Sequence, residues 1–342
     1  MSEPWQPPPD WRRIMTIDAH AAGEPLRLIV SGFPVPFGTT AVEQRRFAAE
    51  HFDHLRRSLM WEPRGHADMY GCLLTPRTTP DGDLGILFMH NDGFSTMCGH
   101  GVIGAVTVGI ECGLVSVGSS TPTLRLDTPA GRVVATARVI GSRVESVSFV
   151  NVPSFVLASD VDTTIPGLGV VRCDVAFGGA FYAYVDAAQL GLDLEPANSA
   201  QLTELGMQIK RRVSETCTIV HPDSPADLDF LYGTIFVGSS AGGAHSRHVC
   251  IFANGELDRS PTGTGVCGRA AILHARGQLM TGDAIEIESV VGTRFGVRVI
   301  ETTSVGGHRA VIPEVTGRAW ITGRHEFLID PGDPLGHGFL VR

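Results

Sequence analysis

The sequence lacks the hallmarks of several large classes of protein. No apolar run in the 342 residues reaches the roughly 18 residues that a membrane-spanning helix needs. Lysine and arginine form no block and the net charge is -9, which argues against nucleic acids and membrane surfaces as partners. The sequence has no Walker loop, no dinucleotide-binding glycine pattern and no His-Glu-x-x-His motif, so nucleotide and zinc chemistry find no support.

The seven cysteines give no sign of a disulfide or zinc framework. They are odd in number, scattered, and without a Cys-x-x-Cys spacing, which favours a reduced cytoplasm. Residues 1–10 are rich in proline and lack the apolar core of a secretory signal and the Arg-rich pattern of a transit peptide. We therefore predict a cytoplasmic protein with a loose N-terminal tail.

The composition favours two strand-rich units over a helical bundle. Hydrophobic residues make up 43% of the chain, enough for a core in each half. With Gly 41 and Pro 21, the chain is expected to have many turns and short strands. We predict helical structure over 39–57 and a linker at 151–154, where a proline interrupts strand pairing.

Two short segments are built alike. MCGHG at 97–101 and PTGTG at 261–265 each begin a run of apolar residues, and a shift of 164 residues superimposes their glycines. Under this shift Cys98 falls on Thr262, so one half has a thiol where the other has a hydroxyl. The repeat predicts a duplicated α/β unit in which two helix starts form two walls of one active site.

Cys98 stands at a predicted Gly-rich helix start, which is a chemically active position. Backbone N–H groups without a partner inside the helix can bind a carboxylate there. The partial positive charge of the helix start also lowers the pKa of a thiol and so favours the thiolate. A carboxylate held beside a thiolate suits removal of a proton from the adjacent carbon. His100 lies two residues further and can hydrogen-bond the thiol. The alternative is that Cys98 is simply a buried small hydrophobic residue.

Thr262 and Asp258 are the matching candidates in the second half. A threonine hydroxyl has no pKa near neutrality, so it is not a general base. It either hydrogen-bonds the substrate or caps the helix. Asp258, four residues upstream, either holds a substrate ammonium or interacts with the helix dipole.

Three further features of the sequence bear on the location of the site. Asp18 and His20, with GEP at 23–25, form either a site loop or a capped turn. The segment 245–250 resembles a metal site in composition, but a strand beginning at His248 would make its side chains diverge. Cys267 is expected to face the core.

These motifs resemble those of the proline racemase family, which also contains hydroxyproline epimerases and trans-3-hydroxy-L-proline dehydratases. The resemblance rests on DAH at 18–20, MCGHG at 97–101, DRSPTGTG at 258–265, and DPL at 333–335 with the Gly338–Phe339 pair. Racemases and epimerases of the family have Cys in both central motifs. Thr262 departs from that pattern and matches the dehydratase branch, as does DLDFLYGTI at 227–235.

The resemblance implies an α/β (α+β) fold with two pseudo-symmetric domains, each a strand-rich half-barrel around a central helix, like diaminopimelate epimerase. The expected domains are 1–152 with 317–342, and 153–316, with the active site in the cleft between them. It also implies that Cys98 is the catalytic base, that Thr262 replaces the second cysteine, and that Asp258 holds the ring nitrogen. The expected carboxylate ligands are the backbone N–H groups of Gly99, His100, Gly263 and Thr264.

The implied reaction is dehydration of trans-3-hydroxy-L-proline to pyrroline-2-carboxylate, without metal or other cofactor. In this substrate the α-hydrogen and the hydroxyl share a ring face, so one thiolate suffices and Thr262 need not be an acid. The alternatives are a hydroxyproline 2-epimerase or proline racemase with another second acid, and a non-catalytic amino-acid-binding protein. The expected partner is a small imino acid; a homodimer and the roles of His20 and Tyr232 stay open.

Overall fold

The computed structural model describes residues 5–116, 118–223 and 226–341, so part of the predicted N-terminal tail, residues 1–4, lies outside it. Within these ranges the chain forms five α-helices, 18 β-strands and three short 3₁₀ helices. The α-helices are α1 (Ala41–His51), α2 (Asp53–Met60), α3 (Gly99–Glu111), α4 (Ser199–Thr216) and α5 (Gly263–Ala275). The 3₁₀ helices are Ala187–Leu190, Pro196–Asn198 and Ala226–Leu228.

The strands fall into two series of similar length. The first series is β1 (Arg12–Ala21), β2 (Glu24–Ser31), β3 (Tyr70–Thr75), β4 (Leu84–His90), β5 (Phe94–Ser95), β6 (Thr123–Thr128), β7 (Gly131–Ile140) and β8 (Arg143–Val150). The second is β9 (Ser154–Ile165), β10 (Gly169–Phe177), β11 (Phe181–Asp186), β12 (Leu231–Gly238), β13 (Ser246–Phe252), β14 (Glu256–Leu257), β15 (Ala284–Glu288), β16 (Arg294–Val305), β17 (His308–Gly317) and β18 (Ala319–Ile329).

The strand pairing repeats between the two halves. In the first half β1–β2 is antiparallel, β2–β3 parallel, β3–β4 antiparallel and β4–β6 parallel, followed by antiparallel β6–β7 and β7–β8. In the second half β10–β11, β11–β12, β12–β13, β13–β15, β15–β16 and β16–β17 follow the same order of directions. The duplication predicted from the two glycine motifs therefore extends through the whole fold.

Each half wraps its strands around one buried helix. α3 packs against β1, β2, β7, β8 and β18, and α5 packs against β9, β10, β11, β16 and β17. Val102, Ile103, Val266 and Ile272 lie in a single apolar core shared by both helices. This mixed, strand-rich architecture around central helices confirms the predicted fold class. Among the described residues no helix is both long and apolar enough to cross a membrane.

The C-terminal strand returns to the start of the chain. β18 runs antiparallel to β1, from the pair Arg12 and Ile329 to the pair Ala21 and Ala319. β17 pairs with β8 and β9 as well as β16, so it joins the two strand series. The proposed boundaries at 152 and 317 themselves stay a prediction.

The structure confirms helical conformation over most of 39–57 but divides it at Phe52 into α1 and α2. The first part begins with a capping box in which Thr40 and Glu43 exchange hydrogen bonds. Phe52 leaves helical geometry at φ -120° and ψ 11°, and Asp53 begins the second helix. The Phe52 ring packs edge-on against Phe33 and Phe47. The helix therefore breaks at the residue whose ring packs against two other phenylalanines, and the spacing of apolar residues in the sequence does not show this break.

The starts of α3 and α5 meet backbone to backbone. A Cβ atom placed on Gly99 would lie 2.6 Å from the Gly263 Cα, and one placed on Gly263 would lie 2.5 Å from the Gly99 Cα. Both are closer than a real Cβ contact allows, so only glycine fits on either side. This contact holds the two predicted motifs together.

We expect Gly263→Ala to destabilise the protein, since the added methyl must push the two helix starts apart. Overpacking of this kind costs about 1–3 kcal/mol, measured as a lower free energy of unfolding in chemical denaturation. Gly93→Ala is the matched control, because a Cβ there would meet nothing within 4 Å. Equal stability of the two variants would contradict the close approach.

Candidate active site

The two helix starts border one small cavity. All seven residues singled out from the sequence line it together. The lining residues are Cys98, Gly99, His100, Asp258, Thr262, Gly263 and Thr264, joined by Tyr70, Met97, Tyr182, Tyr232 and Phe252. The glycine motifs therefore do converge on one site, although the chemical role of each residue stays a prediction.

Cys98 is the N-cap of α3. Its backbone is extended, with φ -147° and ψ 115°, and its Sγ accepts a hydrogen bond from the Gly101 N–H at 3.2 Å. The His100 Nδ1 lies 3.1 Å from the same sulfur. The side chain thus caps a helix, contacts an imidazole and borders the cavity at once.

The expected thiolate is not the resting state of Cys98. Burial raises the pKa of the Cys98 thiol well above its usual range, and the charges of Asp258 and Glu24 raise it further. The Gly101 N–H and the Tyr70 hydroxyl lower the pKa, but they do not offset the loss of solvent. The prediction of a helix-start thiolate is therefore wrong for the ligand-free protein, because desolvation exceeds the helix-start effect.

His100 is a neutral imidazole beside this thiol. It is 3% exposed, and burial lowers its pKa to about 4, against smaller opposing effects of Asp258 and the Pro25 backbone. Its ring packs edge-on against Tyr70, with the centroids 4.6 Å apart. A neutral ring at 3.1 Å from the sulfur is placed to exchange a proton with Cys98.

Thr262 occupies the equivalent place at the start of α5 but behaves differently. Its backbone has φ 68°, a left-handed conformation that costs a β-branched residue roughly 1–3 kcal/mol. Its side chain makes no capping hydrogen bond, and the Oγ1 instead donates to the Asp258 Oδ2 at 2.8 Å. The capping alternative is therefore wrong, since the hydroxyl turns away from the helix.

Asp258 is held in the cavity wall by its own loop. Its Oδ1 accepts from the Ser260 N–H at 2.7 Å while its Oδ2 accepts from Thr262. The carboxylate is 4% exposed, so it is fixed and largely removed from water. Nearby, the Thr264 hydroxyl is bonded to the Tyr182 hydroxyl at 2.7 Å. Asp258 is thus a fixed, buried side chain in the cavity wall.

Sequence reasoning missed the aromatic residues of the cavity. Tyr70, Tyr182 and Tyr232 come from three strands, and Phe252 comes from a fourth. They belong to no motif, and only the sheet order brings them together. One signal was available: the chain has only four tyrosines, and three of them line this cavity.

The segment 18–25 forms the turn between β1 and β2, which favours the capped-turn alternative. The Gly23 N–H donates to the His20 Nδ1 at 3.2 Å, and Asp18 forms an ion pair with Arg27 at 2.8 Å. His20 also stacks on Trp320. Asp18 and His20 are not among the described residues that line the cavity.

Glu24 links this turn to the cavity wall. Its Oε2 accepts from the Arg259 N–H at 2.6 Å, next to Asp258. The side chain is fully buried, and burial together with the Asp258 charge raises its pKa well above its usual range. Glu24 therefore holds its proton more strongly than a free glutamic acid, beside the Asp258 side chain that lines the cavity.

The residues of the metal-like segment do not form a cluster. His248 and Cys250 are buried on β13, while His245 lies before the strand and contacts Ser246. Across the described ranges no group of three His, Cys, Asp or Glu side chains is arranged to hold a metal ion. Cys267 is fully buried, as expected for a core residue.

Comparison with known proteins gives one consistent family. A family model described as proline racemase matches residues 16–340. A trans-3-hydroxy-L-proline dehydratase from Colwellia psychrerythraea is 46% identical over 344 residues, covering 99% of this chain and 97% of its own. A proline racemase from Clostridioides difficile is 40% identical over 331 residues, covering 97% of this chain and 99% of its own.

Comparison with solved structures points to the same family. A crystal structure of a hydroxyproline epimerase from Agrobacterium vitis, with bound trans-4-hydroxy-L-proline, superimposes with a TM-score of 0.92 at 34% identity. The alignment covers 97% of this chain and 96% of that one. The similarity therefore extends over the full fold and not only the two motifs.

We expect the Cys98 thiol of the ligand-free protein to stay protonated at neutral pH, because its pKa is raised by burial. The measurement is the ultraviolet absorbance of thiolate, taken as the difference between wild type and Cys98→Ser across a pH series. The difference should appear only above the pKa of a free thiol, about 8.5. A thiolate signal of Cys98 at neutral pH would contradict the account.

Proposed function

We propose that this chain, which belongs to the proline racemase family, dehydrates trans-3-hydroxy-L-proline to pyrroline-2-carboxylate and water without a cofactor. One observation carries the proposal: a thiol and an imidazole meet at one helix start, while the hydroxyl at the other is bonded to Asp258. The full-length similarity to a dehydratase, at 46% identity, supports the same substrate.

The substrate is held by two kinds of group. The first N–H groups of a helix have no partner within it, so those of Gly99, His100, Gly263 and Thr264 can receive the carboxylate. Asp258 receives the ring ammonium. The proposal includes the two-domain division, 1–152 with 317–342 and 153–316, since β18 pairs with β1 and the cavity lies between the two helix starts.

Substrate binding also prepares the base. The negative charge of Asp258 is one reason that the Cys98 pKa is raised. A bound ammonium neutralises that charge and so lowers the pKa of the thiol. The His100 Nδ1, 3.1 Å from the sulfur, takes the thiol proton only transiently during the transfer, because burial lowers its pKa to about 4. Thus the thiolate forms when the proton that it must remove is in place.

Elimination then takes place on one face of the ring. The Cys98 thiolate removes the α-proton, a double bond forms between the α- and β-carbons, and the bond from the β-carbon to oxygen breaks. Hydroxide leaves as water, with a proton from the Cys98 thiol or the His100 imidazolium. The resulting enamine tautomerises to pyrroline-2-carboxylate, so no oxidant or second substrate is needed.

Thr262 explains why elimination is favoured over inversion. Inversion at the α-carbon requires an acid on the face opposite Cys98. The hydroxyl of Thr262 is not acidic near neutrality and already donates its proton to Asp258 at 2.8 Å. The epimerase and racemase alternatives therefore lack a proton donor at this position.

Wild-type protein should convert trans-3-hydroxy-L-proline to a product lighter by one water, in an assay of hydroxyproline stereoisomers read by mass spectrometry. Proline and 4-hydroxyproline isomers should be recovered unchanged. Cys98→Ser should reduce kcat by about 10³-fold, because serine is a far weaker base. Cys267→Ser, at a buried core position, controls for loss of a cysteine. Efficient 4-hydroxyproline epimerisation, or near-normal turnover by Cys98→Ser, would refute the assignment.

Thr262→Cys should gain slow epimerisation, since it places an acidic group on the opposite face of the substrate. The readout is deuterium incorporation at the α-carbon with inversion in heavy water. The gain is expected to be small, because misplacement by about 1 Å can cost about 10²-fold. Thr262→Ser keeps the hydroxyl and should dehydrate without epimerising; epimerisation by this control would remove the reason for assigning Thr262 its role.

A further inference from the structure

Tyr232 lies at an irregularity of the sheet beside the cavity. Between the parallel strands β11 and β12, Phe181 pairs with Leu231 but Tyr182 pairs with Gly233, so the register skips Tyr232. Such bulges redirect a side chain and are common beside active sites. The Tyr232 ring packs against His90, Tyr182 and Phe252, at centroid distances of 5.8, 5.8 and 5.4 Å. Its place in the cavity wall is therefore well defined.

The Tyr232 hydroxyl is buried without a hydrogen-bond partner among the described residues. The other three tyrosines are satisfied: Tyr70 by Ser95 at 2.6 Å, Tyr182 by Thr264 at 2.7 Å and Tyr184 by the Gly265 carbonyl at 2.8 Å. Tyr70 lowers the pKa of Tyr232, but the two hydroxyls do not meet the geometry of a hydrogen bond. An unsatisfied buried hydroxyl is costly and marks a place for a ligand.

The hydroxyl remains a hydrogen-bond donor and lies near the base. Burial raises the pKa of Tyr232 well above its usual range, so the phenol is protonated. Tyr232 and Cys98 line the same cavity. In the proposed elimination hydroxide departs into this cavity from the face that Cys98 attacks, because the α-hydrogen and hydroxyl share a face.

The polar groups of cavity and substrate can be matched. Helix-start N–H groups receive the carboxylate, and Asp258 receives the ammonium. The substrate hydroxyl has no partner in this scheme, and Tyr232 is the cavity hydroxyl without one. We propose that Tyr232 donates a hydrogen bond to the 3-hydroxyl of the substrate and stabilises the oxygen as it leaves. This inference rests on the proposed dehydration.

The step leaves Tyr232 itself unchanged. As the bond from the β-carbon to oxygen breaks, the phenol O–H shares its hydrogen with the developing hydroxide. The proton that completes water comes from the Cys98 thiol or the His100 imidazolium, and Tyr232 keeps its own. Tyr232 is therefore a residue that touches the reacting oxygen and determines specificity for a hydroxylated ring.

Tyr232→Phe should keep the ring packing and remove only the donor. We expect kcat/KM for trans-3-hydroxy-L-proline to fall by about 10- to 100-fold, as for loss of one buried hydrogen bond. Inhibition by L-proline, which has no hydroxyl, should change by less than about 2-fold. Tyr184→Phe is the control, because its hydroxyl bonds to the Gly265 carbonyl and not into the cavity.

A second measurement separates this inference from the proposed function. In a Cys98→Ser background, binding of trans-3-hydroxy-L-proline and L-proline is compared with and without Tyr232→Phe, so that turnover plays no part. Selective loss of hydroxyproline affinity supports the contact even where dehydration fails. Equal losses for both ligands, no loss for either, or unchanged kcat/KM in Tyr232→Phe would overturn it.

Discussion

The active site depends on one contact, where the starts of α3 and α5 approach through Gly99 and Gly263. No side chain fits at either position, since a Cβ on one glycine would lie within 2.6 Å of the other's Cα. The approach brings two sets of free N–H groups to one cavity, and it places Cys98 and Thr262 on its two walls. The proposed binding of a carboxylate between two helix starts would thus follow from how the two halves pack.

The two walls lie at equivalent places of the repeated strand order but differ in chemistry. Cys98 keeps the extended backbone and caps its helix, whereas Thr262 adopts φ 68° and turns its hydroxyl to Asp258. Burial raises the pKa of Glu24 and of the Cys98 thiol, and the charge of Asp258 raises both further. The proposed base is therefore formed by the substrate, and it acts on one face only.

The sequence was most informative where function depends on local motifs. The repeated glycine segments and the residues around them predicted the helix starts, the duplicated fold and seven of the residues that line the cavity. The sequence was less informative about side chains that only tertiary structure brings together. Tyr70, Tyr182 and Tyr232 lie on three different strands and meet only because of the order of strands in the sheet. The expected thiolate at Cys98 was wrong for the same reason, because a helix start is visible in sequence and desolvation is not. The break at Phe52 likewise coincides with tertiary packing that periodicity does not show.

The central claim is that proton transfer occurs on a single face of the α-carbon. It is tested most directly by recovering unreacted trans-3-hydroxy-L-proline from wild-type protein in heavy water and determining the configuration of any deuterated substrate. The account predicts that the L configuration is retained in all recovered substrate while the dehydrated product accumulates. Inverted, α-deuterated substrate formed at a rate comparable to dehydration would contradict it, since that outcome requires a proton donor on the Thr262 side.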